Sequence, residues 1–317
     1  MSEKKLLRIG FLLLAGIIAL QLSAGIWKPA LQAAQQLKLG QVLIFLQTGR
    51  FVPYIPAAEQ TETGLMETIL TADKPVFSEE DQSLIPLRND SDKTADLPAA
   101  LLEPLQWDLY ADQPTVLILH SHGSESYTKT EDYTETAAYR TLDTNYNMVS
   151  IGDLVAKELE QAGIRVIHDR TLYDMPSYND AYVQSRAGIQ ACLADNPSIQ
   201  LVLDLHRDAA IDANGNQVRY AVSTAEGEAA KLMLVLGTNH DGWSSNLSLA
   251  AKLQVQLEKQ CPGLCRTVNL RAQRFNQDLC PNTVLIEVGS TGNTHQEALL
   301  AAQYLSRALI SLASGSG

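Results

Sequence analysis

The sequence predicts an α/β domain with a mostly parallel sheet, covered by helices on both faces and preceded by an N-terminal transmembrane helix. Short apolar runs typical of buried strands recur along the C-terminal two-thirds of the chain, and amphipathic helical patterns separate them. An uncharged apolar run near the N-terminus is typical of a membrane-spanning helix.

The N-terminal run, Ile9 to Trp27, follows the cations Lys4, Lys5 and Arg8. At about 1.5 Å per helical residue it can cross a hydrocarbon layer of roughly 30 Å. Positive charge before the run predicts a single-pass anchor over residues 1–28, with the rest of the chain outside the cytoplasm. A cleaved signal peptide is the alternative, although no clear A-x-A cleavage site follows.

The segment after the anchor changes composition twice. Residues 29–60 combine Leu, Ala and Gln and predict a juxtamembrane helix, or a helix packed on the catalytic domain. Residues 61–113 are rich in Asp, Glu, Thr, Ser and Pro, which predicts an acidic flexible linker. The catalytic domain is then expected over residues 114–317.

Within that domain, apolar runs predict five buried strands and intervening patterns predict four helices. The strands are expected at Thr115–Leu119, Ile164–Ile167, Leu201–Leu205, Leu232–Leu236 and Thr283–Val288. The helices are expected at Met148–Gln161, Asn179–Asp195, Leu247–Lys259 and His295–Leu312. Gly163 is placed to end the first of these helices.

The composition excludes one class of partner and disfavours one kind of scaffold. A net charge of −12 without a basic stripe argues against nucleic-acid binding. The four cysteines are too few and too scattered for a disulfide-built scaffold, although one or two bridges are possible in an exported domain: Cys192, Cys261, Cys265 and Cys280.

Three polar clusters lie at the ends of predicted strands: HSHGSESY from residue 120, DLHRD from residue 204, and EVGS from residue 287. The carboxyl ends of parallel strands share one edge of a sheet, so these clusters are expected to meet. Two imidazoles and a carboxylate, with a fourth position open for water, form a common hydrolytic zinc site. We therefore predict a hydrolytic Zn²⁺ site at this edge.

The predicted zinc ligands are His122, Glu125 and His206. His120 points the other way if the strand continues through it, but in a turn it could replace His122 as a ligand, or it could contact a ligand from behind. Glu287, buried in an apolar strand, is the candidate general base. As a structural alternative, an Arg could pair with Glu287 in the core.

Other polar residues have weaker interpretations. Asp204 and Asp208 could orient His206 through its second ring nitrogen, or could cap the next turn. His168, His240 and His295 lack matching partners in the sequence and are interpreted as structural or surface residues.

The sequence resembles the stage II sporulation protein P family over about residues 114 to 310. The matching pieces run in order: VLILHSHGSESYT, NMVSIGDLVAKELEQAGIRVIHD, YNDAYVQSR, LVLDLHRDA, VLGTNHDGWSSNLSLA and RFNQDLCPNTVLIEVGSTGNTHQEA. The resemblance implies a zinc amidase fold and cleavage of the N-acetylmuramoyl-L-alanine bond of peptidoglycan, with endopeptidase action on cross-links also attributed to the family.

The same resemblance implies work during forespore engulfment, beside a lytic transglycosylase and a membrane protein of the same stage. Carried over by position, the metal and catalytic residues fall on His122 (or His120), Glu125, His206 and Glu287. The metal Glu of the wider superfamily lies further along the chain, which keeps Glu131 and Glu135 as alternatives. Arg207 is expected to bind a stem-peptide carboxylate or the developing oxyanion.

Three rival functions share parts of this pattern. A general cell-separation amidase would perform the same chemistry, but the wall-binding repeats that favour it are absent from the sequence. A wall-binding scaffold without catalysis would not need the His and Glu set. A zinc carboxypeptidase would release single D-amino acids.

Overall fold

The computed structural model describes residues 75–131, 133–134 and 139–315. Within these ranges, no helix is both long and apolar enough to cross a membrane. The predicted anchor and juxtamembrane helix, residues 1–60, lie outside the described residues, as do residues 61–74 of the predicted linker.

Nine strands and five α-helices make up the described part. The strands are β1 Leu87–Asp90, β2 Val116–Leu119, β3 Val166–His168, β4 Leu201–Asp208, β5 Ala221–Ser223, β6 Glu228–Ala230, β7 Leu232–Gly237, β8 Val268–Arg271 and β9 Thr283–Ser290. The helices are α1 Leu97–Leu102, α2 Met148–Gln161, α3 Ala181–Asp195, α4 Trp243–Gln260 and α5 His295–Ser314. Short 3-10 helices cover Glu79–Leu84 and Tyr178–Asp180.

Seven strands form the central sheet, in the order β1-β8-β7-β9-β4-β2-β3. Neighbouring strands run parallel except β7 and β9, which are antiparallel. The carboxyl ends of β2, β4 and β9 therefore share one edge of the sheet, and those of β1, β7 and β8 lie at the opposite edge. The first predicted polar cluster follows β2, and the other two form the C-terminal ends of β4 and β9, so the expected convergence at one edge is confirmed.

Strand alternation separates the two faces of the sheet. Leu201, Leu203 and Leu205 of β4 belong to the main core, which also includes apolar residues of α2, α4 and α5. Val202 points to the opposite face and packs with Ile189 of α3 in a smaller core. Because side chains alternate along a strand, Asp204 and His206 share this second face, so the site develops on the α3 side.

Helix α2 shows how local sequence sets the element that flanks the site. Asn147 caps its start by accepting a hydrogen bond from the amide of Val149. Gly163 follows its last turn with φ of +90°, a conformation that favours glycine. The predicted bounds, Met148–Gln161, are confirmed.

The prediction of a flexible linker is wrong for residues 75–113. Strand β1 in this segment is the outermost strand on one side of the sheet and pairs with β8, with Leu87 opposite Val268. Helix α1 buries Leu101, and Lys252 of α4 donates to the carbonyls of Ala100 and Glu103, at 2.7 and 2.6 Å. The acidic residues that indicate a tether by composition instead act locally: Asp96, for example, caps α1.

Candidate active site

The site lies where β2, β4 and β9 end. His122 and Glu125 belong to the turn after β2, His206 lies in β4, and Glu287 lies in β9. His206 and Glu287 are register partners on adjacent parallel strands, so the fold fixes them side by side. The structure thus brings together four of the predicted site residues.

The ring of His122 is held between aromatic groups. It stacks on Tyr178 with ring centroids 3.9 Å apart, and it meets the ring of His206 edge-on at 5.5 Å. Its Nδ1 is buried and has no hydrogen-bond partner in the described part of the chain. Burial lowers the pKa of His122, which favours a neutral imidazole with a free lone pair.

Glu125 is an ionised carboxylate in a buried position. Burial opposes the charge, but the Arg207 guanidinium and His206 lower the pKa of Glu125 to about 2. Arg207 donates to Glu125 from its backbone amide at 3.2 Å and from Nη1 at 3.3 Å. Tyr178 donates its hydroxyl to Oε1 at 3.2 Å, so the carboxylate is tightly positioned.

His206 lies between two carboxylates. Its Nδ1 is 3.6 Å from Oε2 of Glu125, and its Nε2 is 2.8 Å from Oδ1 of Asp204 without the alignment of a hydrogen bond. Although burial acts in the other direction, Asp204 and Glu125 raise the pKa of His206 well above its usual value. Asp204 is fixed in turn by the amide and hydroxyl of Ser121, at 2.8 and 2.7 Å. These contacts favour Asp204 as the residue that orients His206, whereas Asp208 pairs with Arg266 at 2.7 Å.

Glu287 has the opposite character to Glu125. Its Oε2 is buried and has no hydrogen-bond partner among the described residues. Burial raises the pKa of Glu287 to about 8. A carboxyl group that holds a proton near neutral pH can exchange it with a reacting group, as general acid–base catalysis requires.

His120 is not part of this site. It points to the other face of the sheet, where its Nδ1 lies 3.1 Å from the carbonyl of Leu205 and its Nε2 lies 2.9 Å from Nε2 of His168. With both ring nitrogens engaged there, His120 does not replace His122 as a ligand. Of the other alternates, Glu131 is exposed in a loop and Glu135 lies outside the described residues.

Arg207 has a different role from the one predicted. Its side chain is 4% exposed, and it donates to the carbonyls of Ser126 and Tyr139 as well as to Glu125. The guanidinium is therefore committed to internal contacts, which contradicts the expected substrate-binding role. Sequence alone shows the charge but not the direction in which it points.

Two tyrosines at the site were not predicted. Tyr178 stacks on His122, and the guanidinium of Arg140 lies over the Tyr178 ring, 3.5 Å from its centroid. Tyr182 stacks on His206 at 6.2 Å. The available signal is the spacing: two aromatic residues four positions apart, at the start of a helix, lie on the same side.

The donor types at the site fit zinc in part. His122 has a buried ring nitrogen without a hydrogen-bond partner, and imidazole nitrogen is a preferred zinc ligand. Nε2 of His206 faces Asp204 at 2.8 Å, so Nδ1 is the nitrogen of His206 that would face the metal. Glu125 supplies a carboxylate but is shared with Arg207. In the described ranges, no three His, Cys, Asp or Glu side chains already form a metal-holding group. The geometry therefore supports a two-histidine donor set, and the third ligand stays a prediction.

Residues 55–310 match the family described as Stage II sporulation protein P. The chain belongs to this family. Stage II sporulation protein P of Bacillus subtilis (strain 168) is 28% identical over 208 residues, which cover 60% of this chain and 49% of the relative. The match thus spans about half the length of the curated relative.

Solved structures of several hydrolases show a weaker likeness. N-acetylmuramoyl-L-alanine amidase AmiC2 of Nostoc punctiforme is 16% identical with a TM-score of 0.37, covering 64% of this chain and 94% of that one. The CwlD amidase of Clostridioides difficile, solved with the GerS lipoprotein, is 17% identical with a TM-score of 0.39, covering 64% and 95%. A succinylglutamate desuccinylase of Chromobacterium violaceum is 13% identical with a TM-score of 0.37, covering 69% and 76%. These values are too low to assign an activity.

Proposed function

We propose that this protein is a zinc-dependent peptidoglycan hydrolase that cleaves the N-acetylmuramoyl-L-alanine amide bond, and also peptide cross-links, during engulfment. One observation carries the proposal: Glu287, whose Oε2 is buried and unpartnered, lies in register with His206, at the edge where His122 also presents an unpartnered nitrogen. Buried polar atoms are normally hydrogen-bonded, so unpartnered ones at one edge indicate a site built for a ligand.

In this mechanism, His122 and His206 would hold the zinc ion, with Glu125 as the predicted third ligand. Zinc, when bound, supplies a positive charge that polarises the scissile carbonyl and lowers the pKa of water. In its deprotonated form, Glu287 takes a proton from the attacking water, whose oxygen bonds to the scissile carbonyl carbon. It delivers that proton to the amine that leaves as the C–N bond breaks. Asp204 fixes the ring of His206, while Arg207 and Tyr178 keep Glu125 ionised and in place.

The place and partners of the reaction are part of the proposal. The apolar run within residues 1–28 would anchor the chain in the cell membrane, with the catalytic domain outside the cytoplasm. Peptidoglycan is the proposed substrate. A lytic transglycosylase and a membrane protein of the same sporulation stage are the proposed partners, as the family resemblance implies.

Digestion of purified peptidoglycan by the full-length chain in detergent tests the proposal. Products are identified by mass, with and without a chelator and after Zn²⁺ is restored. We expect stem peptides to be released from muramic acid, release to stop with the chelator, and Zn²⁺ to restore it. Release of single D-amino acids would instead indicate a carboxypeptidase.

If the wall stays intact in the presence of Zn²⁺, the digestion is repeated with the lytic transglycosylase and the membrane partner added. Hydrolysis that appears only then identifies a partner-activated enzyme. A wall that stays intact but retains bound protein identifies a scaffold and refutes the enzyme.

A further inference from the structure

A groove opens on the sheet face that α3 leaves uncovered. Helix α3 packs over β2 and β4 through Ile189, whereas Met233 of β7, Asn269 and Arg271 of β8 and Arg88 of β1 line an open cavity of about 800 Å³. Asn269 and Arg271 are two positions apart in one strand, so both side chains point to this face. We call this cavity the basic groove, after the cations that line it: Arg88, Arg219, Lys231, Arg266 and Arg271.

The basic groove begins beside the proposed catalytic residues. Met233 is the cross-strand register partner of Glu287. Asp208, which also lines the groove, lies two residues after His206 in β4. A substrate that places its scissile bond at Glu287 and His206 can therefore extend directly into the groove.

The charge of the groove is opposite to that of the chain. Its lining contains five cations and one carboxylate, Asp208, in a protein with a net charge of −12. Arg88 and Arg271 share a single partner, Asp90, at 2.7 and 3.4 Å. Lys231 forms no ion pair with any described residue. Lys231, and the Arg88–Arg271 pair that shares Asp90, thus have positive charge available for an anionic ligand.

The groove also presents an unsatisfied acceptor. Oδ1 of Asn269 is buried and makes no hydrogen bond within the described part of the chain. Buried polar atoms seldom lack a partner, and this oxygen would accept an N–H group from a ligand. A ligand that combines N–H donors with carboxylates matches both features, whereas a phosphodiester polymer has no N–H group to offer.

We propose that the basic groove binds the peptide arm of the substrate, with a peptide N–H donating to Asn269 and free carboxylates contacting Lys231 and Arg271. This inference rests on the proposed function, because it assumes that the scissile amide lies at Glu287. In this proposal, the groove makes the enzyme select substrates whose stem peptides carry free carboxylates.

The test is equilibrium binding of a soluble disaccharide–stem peptide to the full-length Glu287→Gln protein, which cannot turn over the ligand. We expect Lys231→Gln and Arg271→Gln each to weaken binding about tenfold, as the loss of one charge-assisted contact predicts. Lys157→Gln, at an exposed position of α2, is the matched control and should bind normally. Thermal melts confirm that each variant is folded.

A second ligand distinguishes the groups that bind. Amidation of the stem-peptide carboxylates should weaken binding to the Glu287→Gln protein about as much as both groove substitutions together, with no further loss in the Lys231→Gln, Arg271→Gln double variant. Equal affinity for the amidated ligand, or unchanged affinity in both groove variants, overturns the proposal. Preferential displacement by poly(glycerol phosphate) would assign the groove to a phosphate polymer and also overturn it.

Hydrolysis by the wild-type chain is measured separately, so the two proposals fail in different ways. Binding that depends on the groove residues, without hydrolysis, refutes the proposal that the protein is an enzyme and supports the proposal of a peptide-binding groove. Hydrolysis that is unaffected by Lys231→Gln and Arg271→Gln, at substrate concentrations below KM, refutes the groove and retains the enzyme.

Discussion

Two histidine clusters lie on opposite faces of the same sheet. Their first members, His120 and His122, are only two positions apart along the chain. The saturated cluster consists of His120, His168 and Asp153; the open cluster consists of His122, His206 and Glu287. Each contains two imidazoles and a carboxyl group. They differ in whether their polar atoms already have partners.

In the saturated cluster, every ring nitrogen is engaged. His120 contacts the carbonyl of Leu205 and Nε2 of His168, and Nδ1 of His168 lies 3.0 Å from Asp153. Packing leaves no spare room, since a Cβ at Gly152 would lie 2.4 Å from Nε2 of His168. This cluster joins β2, β3 and α2, and its role is structural.

In the open cluster, Nδ1 of His122 and Oε2 of Glu287 are buried without hydrogen-bond partners in the described ranges, and Nδ1 of His206 has only a 3.6 Å contact with Glu125. The two clusters have the same histidine content, so histidine content does not distinguish the site from a structural cluster. Unmet hydrogen-bonding capacity does distinguish these two clusters.

The largest expected effect is on catalysis in the open cluster. Glu287→Gln removes the proton carrier and keeps the shape, so we expect hydrolysis of peptidoglycan to fall by about 10²–10⁴-fold. The measurement is the initial rate of stem-peptide release, followed by mass. Glu160→Gln, at an exposed position of α2, is the control and should keep full activity. A Glu287→Gln protein that remains active would remove Glu287 from the mechanism.

The second effect separates the clusters by stability. His120→Ala leaves a cavity and an unpaired His168, so we expect the free energy of unfolding to fall by about 2–4 kcal/mol. His122→Ala breaks no hydrogen bond of Nδ1 and loses mainly its stacking, so about 1 kcal/mol is expected. Urea unfolding of both variants, in chelator, provides the measurement. Equal losses would show that the clusters are not distinct in this respect.

The sequence predicts the long, periodic elements well. Strand alternation also places His120 on the face of Val116 and Ile118, which is confirmed. His122 lies in the turn after β2 and reaches the opposite face. Strands β1 and β8, each of four residues, and the three-residue strands β5 and β6 were missed because they lack a long apolar run. The antiparallel direction of β7 depends on pairing with β9, a distant segment.

The site was predicted in composition but only partly in geometry. His122, Glu125, His206 and Glu287 do converge, because each follows or ends a strand at one edge. The internal role of Arg207 and the aromatic contacts of Tyr178 depend on side-chain directions that the sequence does not show. The linker prediction failed because composition alone does not reveal that Leu101 finds a core to enter.

The smallest effect is a pH dependence of opposite sign in the two clusters of the metal-free protein. Burial lowers the pKa of His120 to about 3, so the unfolded chain takes up a proton first as pH falls below about 6.5. His120 therefore costs stability between about pH 6.5 and 3. The pKa of His206 is raised, because Asp204 and Glu125 outweigh its burial, so His206 adds stability below about pH 6.5 that is lost as pH rises through its folded pKa.

Substitution of each histidine by Asn makes this difference measurable by urea unfolding in chelator at pH 8 and pH 5. His120→Asn should destabilise less at pH 5 than at pH 8, whereas His206→Asn should destabilise more at pH 5. For one proton the slope difference is at most about 1.4 kcal/mol per pH unit. Parallel pH profiles for the two variants would mean that the imidazoles have similar charge states, and the contrast between a neutral structural cluster and a charged open one would fail.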